Sequence, residues 1–201
     1  MLENNLYIKS YVSIENGKVS VDGNPAFESS VKNVSDFLKE GLRHFAIQYP
    51  KYFKMDNLSK LAFLGSELLL KDNPEPQTAL LFANSSSSLD TDVTYQESIA
   101  DKANYFPSPA VFVYTLPNIC LGEISIRHQL KTENSFFIFG AFNADFFVGY
   151  AQNLIETGKA KNVLCGWTEL YKEDYKAFFY VVSSEGKTEH TKQNIEHIYK
   201  Y

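Results

Sequence analysis

Few side chains in this sequence are suited to covalent chemistry, and they are scattered. Cys120 and Cys165 are the only thiols, and both stand in apolar stretches without the spacing of metal ligands. Cys165 falls within the apolar run Asn162–Thr168, where burial disfavours the thiolate that a nucleophile needs. Cys120 stands near the start of a helical stretch, a better electrostatic setting, but no histidine neighbours it in sequence. Of the four histidines, His44 and His128 fall on predicted helices and read as structural or surface groups. His190 and His197 fall in the polar C-terminal stretch and read as solvated. Asp90 and Asp92 close a polar loop, Asn84–Asp92, with no histidine or third carboxylate close by. That loop therefore reads as solvated and locally capped, and no metal is implied. Glu123 and Arg127, spaced i, i+4, read as a surface ion pair worth about 0.3 kcal/mol.

The element that would position a reactive group is the stretch from Asn134 to Glu169. It predicts a strand over Ser135–Phe139, a bend at Gly140-Ala141, a helix over Asn143–Thr157 and a second strand over Asn162–Thr168. Phe147, Ala151 and Ile155 form one i, i+4 row of the helix, and Phe146, Tyr150 and Leu154 form the next. With Phe142 and Val148 added, the apolar arc predicts burial on more than one side. Asp145 suits the positive end of the helix dipole, and Gly158 ends the helix. A strand-to-helix bend aims free N–H groups at its contents, which is why such bends often hold a nucleophile or an anion. Gly140, Ala141, Phe142 and Asn143 occupy this one, and none is a nucleophile.

Composition sets the broad class. The 201 residues suggest one domain, 1–201, with 186–201 a polar tail open to a terminal helix. Hydrophobic content of 44% and charged content of 21% are ordinary, whereas 16 Phe and 13 Tyr favour extensive packing or interface surface. A net charge of −5, with Arg43 and Arg127 the only arginines, argues against nucleic acid as the partner. No apolar run reaches membrane-spanning length and no signal-peptide layout opens the chain, so the expectation is a cytoplasmic protein with reduced thiols.

The remaining elements follow in order. Tyr7–Ile14 alternates like a strand, and Asn16-Gly17 predicts a hairpin into Val19–Val21. Asp22-Gly23-Asn24-Pro25 reads as a second turn, and Ser35 as the cap of a helix from Asp36. A helix over Asn57–Lys71 is stopped by Asn73-Pro74-Glu75-Pro76. Thr78–Ala83 suits an interior strand, Tyr95–Lys102 a short helix, Ala110–Leu130 a stretch mainly helical after Pro117, and Tyr175–Ser183 a last strand. This alternation predicts an α/β fold: a mixed, mostly parallel five-stranded sheet with helices on both faces, its final strand antiparallel.

The order of elements, with Tyr114-Thr115-Leu116-Pro117-Asn118 and Gly122 leading into a helix, resembles the N-terminal half of β-ketoacyl-acyl-carrier-protein synthases. So does the segment Gly158–Glu169, which runs from a helix-ending glycine through an apolar strand to a glycine and a glutamate. The likeness covers about Tyr52 to Val182 and implies a thiolase-like half-domain. Counting back from Gly158, the family's nucleophilic cysteine falls at Ala141, with Phe142 as the one-residue register alternative; neither can form an acyl-enzyme. Lys161 stands where the family has an acidic residue, and Gly166-Trp167 where it has a glycine pair. The family takes two histidines, a lysine and part of its oxyanion hole from a C-terminal half that these 201 residues do not include.

The resemblance further implies a binding region at Phe142, Asn143 and Phe146, and a dimer interface along Ser135, Phe136, Phe137, Ile138 and Phe139. It implies no cofactor and no metal. The expected function is that of a non-catalytic β-ketoacyl-synthase-like subunit, similar to a chain-length factor, in fatty-acid, polyene or polyketide-type chain assembly. Its partners would be a second copy or a full-length ketosynthase, with an acyl carrier protein engaged through that partner. Two alternatives stand beside it: an acyl-thioester enzyme with other site residues, and a stand-alone protein binding an acyl chain or aromatic small molecule.

Overall fold

The computed structural model describes residues 5–72 and 74–200; Asn73 of the expected helix stop and Tyr201 of the tail lie outside the described residues. The chain opens on β1 (Tyr7–Glu15), β2 (Lys18–Val21) and β3 (Asn24–Glu28). Asn16 and Gly17 both take positive φ, 52° and 75°, as a two-residue hairpin turn requires. Asp22 and Gly23 repeat that geometry, so the second turn leads into a third strand that the sequence reading did not include. Pro25 hid it, since proline normally argues against a strand. It is tolerated because β3 is the edge of the sheet.

Helix α1 (Val34–His44) is capped by Asn33, whose side chain accepts from the Asp36 N–H, rather than by Ser35. A 3-10 turn (Pro50–Lys54) leads into α2 (Asn57–Leu70), capped by the Asp56 carboxylate at 2.9 Å from the Ser59 nitrogen. Then follow β4 (Thr78–Asn84), α3 (Leu89–Ala100), α4 (Pro109–Val113), α5 (Ile119–His128), β5 (Asn134–Ile138) and α6 (Ala144–Glu156). The chain continues through β6 (Asn162–Tyr171), β7 (Asp174–Ser183), β8 (Thr188–Glu189) and α7 (Lys192–Lys200).

The sheet corrects the expected one. It has eight strands in the order β3-β2-β1-β7-β6-β4-β5, with β8 pairing β1. Among the described pairings only β4–β5 and β4–β6 are parallel, so the sheet is mostly antiparallel and not a five-stranded parallel one. The reason lies in β7: it returns antiparallel to β6 and then takes β1 on its free side, which brings both N-terminal hairpins into the same sheet. Apolar alternation says which residues share a face and nothing about strand direction.

Side-chain parity divides the sheet into two cores. Leu80, Phe82, Leu164, Phe179 and Val181 point to the layer of α1, α2 and α5. Leu81, Val163, Cys165, Trp167, Phe178 and Tyr180 point to the layer of α6 and α7. The enclosed helix is α2, buried around almost its whole circumference from Leu58 to Glu67. Each large apolar side chain so buried contributes about 1.5–3 kcal/mol. Gly65 of α2 and Gly166 of β6 make room for Phe179, whose ring would lie 2.3 Å and 2.7 Å from a Cβ at those positions.

Helix α6 is less enclosed than its apolar arc predicts. Ala144, Phe147, Ala151 and Leu154 are buried, whereas Asp145, Gly149, Gln152, Asn153 and Glu156 face outward and are exposed. Phe146 and Tyr150 turn sideways onto Phe137, and Phe146 also onto Phe139, so the chain covers much of this second row itself.

Candidate functional site

The parallel strands β4 and β5 end together at Asn84 and Ile138, beside a β6 that runs on to Tyr171, and the crevice beyond the carboxyl ends of such strands is where α/β sheets place ligands. The bend Phe139–Asn143 lies at this end. The Phe139 N–H donates to the Asn84 carbonyl at 2.9 Å and ties the bend to the end of β4. Gly140 and Ala141 are exposed, and Ala141 presents only a methyl group. The Asn143 side chain accepts from the Phe146 N–H at 3.1 Å, so its polar group serves as the cap of α6. Asp145 in the first turn pairs with Lys192 of α7 at 2.5 Å.

Phe142 turns back into the molecule. Its ring stacks with Tyr199 of α7 at 4.2 Å between centroids and with Phe147 at 5.5 Å. Trp167 and Phe178 present edges to it, both at 5.9 Å. The three residues expected to bind therefore divide: Phe142 is packed among rings, Asn143 caps the helix, and Phe146 joins the cluster with Phe137, Phe139 and Tyr150. Of the expected dimer strand, Phe136 packs toward the α2 core, Phe137 and Phe139 toward the α6 core, Ser135 is half-buried, and Ile138 is 49% exposed. Strand β5 bonds to β4 and to no other described strand, which leaves its outer row of backbone groups unpaired by the sheet.

Neither thiol is poised for attack. Both are fully buried, and burial pushes their proton affinities well above the ordinary range. The charge of Asp56 raises Cys120 further, while the Sγ of Cys120 points to the Pro117 carbonyl at 3.1 Å.

Several polar residues have partners that sequence spacing did not indicate. Arg127 does not pair with Glu123; it grips Glu67 of α2 through two nitrogens, and the His128 Nε2 lies 3.1 Å from the same carboxylate. Burial opposes the charge on Glu67, yet His128 and Arg127 hold it down to about 2. Glu123 instead accepts from the Tyr114 hydroxyl at 3.3 Å. His190 is buried, not solvated, and burial lowers it to about 4; His197 is exposed, as expected. His44 packs on Phe27 with its Nε2 3.1 Å from the Ala26 carbonyl.

The loop after β4 is shorter than expected, because Asp90 and Asp92 already belong to the first turn of α3. Asp90 accepts from the Lys172 N–H at 2.8 Å and so braces the β6–β7 hairpin. Glu169 near the end of β6 accepts from the Ser85 and Ser86 N–H groups at 2.6 and 3.2 Å. These serines and Glu169 share a polar basin of about 710 Å³ with Ser29, Lys32 and Lys176. Nothing in the sequence joins Glu169 to Ser85, 84 residues away. Among the described residues no group of three or more His, Cys, Asp or Glu is arranged to hold a metal ion, and no helix is long and apolar enough to cross a membrane.

Neither a family model nor a curated protein matches the chain. Solved structures do. The chain superposes on the ishigamide ketosynthase/chain length factor with a TM-score of 0.64 at 16% identity, covering 89% of this chain and 62% of that one. It superposes on the structure of the ketosynthase ApeO in complex with its chain length factor ApeC from Xenorhabdus doucetiae with a TM-score of 0.63 at 15% identity, covering 92% and 80%. A third match is AntDE:AntF, a type II polyketide synthase acyl-carrier protein in complex with its ketosynthase, with a TM-score of 0.62 at 14% identity, covering 96% and 64%. The chain thus spans less than two thirds of the first and third of these structures. The likeness is one of fold: the thiolase-like architecture of ketosynthases and chain length factors.

Proposed function

We propose that this chain is a non-catalytic ketosynthase-like subunit that acts in acyl-chain assembly by pairing with an active ketosynthase. One observation carries the reading. The position that would hold a nucleophile is Ala141 or, one register on, Phe142, and the Phe142 ring is packed against Tyr199 and Phe147. A methyl and a phenyl group cannot form a thioester, and both cysteines are buried, which favours their neutral thiols. The unpaired outer edge of β5, with Ile138 exposed on it, supports a partner strand there. Incubation of the chain with an acyl thioester and a malonyl carrier protein tests the reading: no condensation is expected. Turnover above background that survives Cys120→Ala would overturn it.

A second feature supports contact with a carrier protein by this chain itself. The 3-10 turn puts Lys51 and Lys54 on the surface around Phe53, which is 57% exposed. The Tyr52 hydroxyl donates to the Leu38 carbonyl at 3.3 Å and holds the turn against α1, whose Arg43 is also exposed. In a chain of net charge −5, such a basic and aromatic ridge suits an acidic protein. Reversal of Lys51 and Lys54 to glutamate is expected to weaken binding of an acyl carrier protein in a titration. Unchanged affinity would place the carrier's contacts elsewhere.

A further inference from the structure

We propose that the uncharged segment around α4 is the face on which the ketosynthase partner docks, and that it extends the free edge of β5 into one apolar interface. The proposal rests on the partner-subunit reading and says which surface of this chain the partner covers.

The segment is unlike the rest of the chain. No residue from Ala103 to Gly122 is charged, in a chain that is 21% charged. Tyr105, Phe106, Phe112, Val113 and Leu116 are between 47% and 73% exposed, and they make up most of the large apolar side chains exposed among the described residues. Helix α4 reads Pro-Ala-Val-Phe-Val and buries none of these residues. Apolar composition serves no purpose in a helix without a buried face, and marks a surface that another molecule covers.

The segment is nonetheless held in place. The Ser108 side chain accepts from the Val111 N–H at 3.4 Å, and the Ser88 hydroxyl donates to the Thr115 carbonyl at 2.6 Å. The rings of Tyr95 and Phe112 lie 5.3 Å apart. The exposed side chains thus stand on a fixed support, which lowers the ordering cost of binding.

Area and charge choose the occupant. Five side chains of this size, each about half exposed, offer on the order of 500 Å² of apolar surface. A stable interface takes about 800 Å² from each partner. The β5 edge by itself exposes one large apolar side chain, Ile138, and falls far short of that area. Helix α5 follows α4, packs against β5 and carries the exposed Ile126, so apolar surface runs through neighbouring elements from α4 toward the free edge. Absence of charge suits the core of a large subunit interface, of the kind permanent partners form. An acidic carrier protein finds no cation here; the basic ridge that suits it carries Lys51 and Lys54.

The experiment measures, by calorimetry, binding of the full-length ketosynthase from the same source to wild type and to Phe106→Ser/Leu116→Ser. Both side chains are more than half exposed, so the double variant is expected to fold as the wild type does. It is expected to bind the ketosynthase about tenfold more weakly, the loss that follows removal of apolar anchors from an interface core. In the wild-type chain, the amides of residues 105–116 are expected to gain protection from hydrogen exchange when the ketosynthase is added. Unchanged affinity in the double variant, or no gain in protection in the wild-type complex, overturns the docking face and leaves the partner-subunit reading standing. A wild-type chain that does not bind the ketosynthase overturns both. Self-association that the double variant abolishes, with no binding of the ketosynthase, assigns the face to a second copy and overturns the proposal. Should the double variant lose cooperative unfolding, hydrogen exchange on the wild type decides alone.

Discussion

His190 shows how little a residue's sequence neighbours say about its surroundings. Thr188, Glu189, Thr191 and Lys192 make the segment look solvated, yet the backbone N–H of His190 donates to the Leu6 carbonyl and its ring packs 5.6 Å from Tyr180. Burial favours the neutral ring and lowers it from the ordinary 6.5 to about 4. The unfolded chain then takes up a proton at a higher pH than the folded one. Stability is full above about pH 6.5 and falls as pH drops toward 4, by up to about 3 kcal/mol. The urea midpoint measured between pH 7 and pH 4 should show this loss, and His190→Phe should reduce it. An equal loss in the variant would assign it to other groups. The pair Glu123 and Arg127 teaches the complementary lesson: the i, i+4 spacing was correct, but Arg127 found a better partner in Glu67 of another helix.

At the scale of elements, most helices and strands were legible because their apolar periods are strong. Helix α2, the interior strand β4, the hairpin at Asn16-Gly17 and the strand–bend–helix–strand of β5, α6 and β6 lie within a few residues of expectation. The short edge strands β3 and β8 were not legible, because an edge strand of two to five residues carries no alternation to read. The helix enclosed between the sheet and neighbouring helices is α2 and not α6. Gly65 is where this enclosure is tightest: a Cβ there would lie 2.3 Å from the Phe179 ring. Gly65→Ala is therefore expected to destabilise the fold by about 1–3 kcal/mol despite alanine's better helix propensity. Chemical denaturation measures it, and a neutral or stabilising result would mean that Phe179 has another rotamer available.

At the scale of the molecule, the sequence yielded the class of fold and the resemblance to ketosynthases, but not the sheet's direction or extent. The pairing of β1 with β7 joins residues more than 160 positions apart, and no local pattern encodes it. The candidate site was legible as a bend without a nucleophile; the stacking of Phe142 on Tyr199 was not, since it brings together two residues 57 positions apart. The outward face of α6 is polar, so the strongest remaining argument for a partner is the free edge of β5. Ile138 is the residue to change there, because it is half exposed, whereas Phe137 packs against Phe139, Phe146 and Tyr150 of its own chain. Sedimentation velocity at micromolar concentration, on the chain mixed with a full-length ketosynthase from the same source, tests the central claim most directly. The predicted result is a one-to-one complex that Ile138→Asp abolishes while the variant stays folded. A chain that sediments unchanged beside the ketosynthase, or a complex that Ile138→Asp leaves intact, would contradict it.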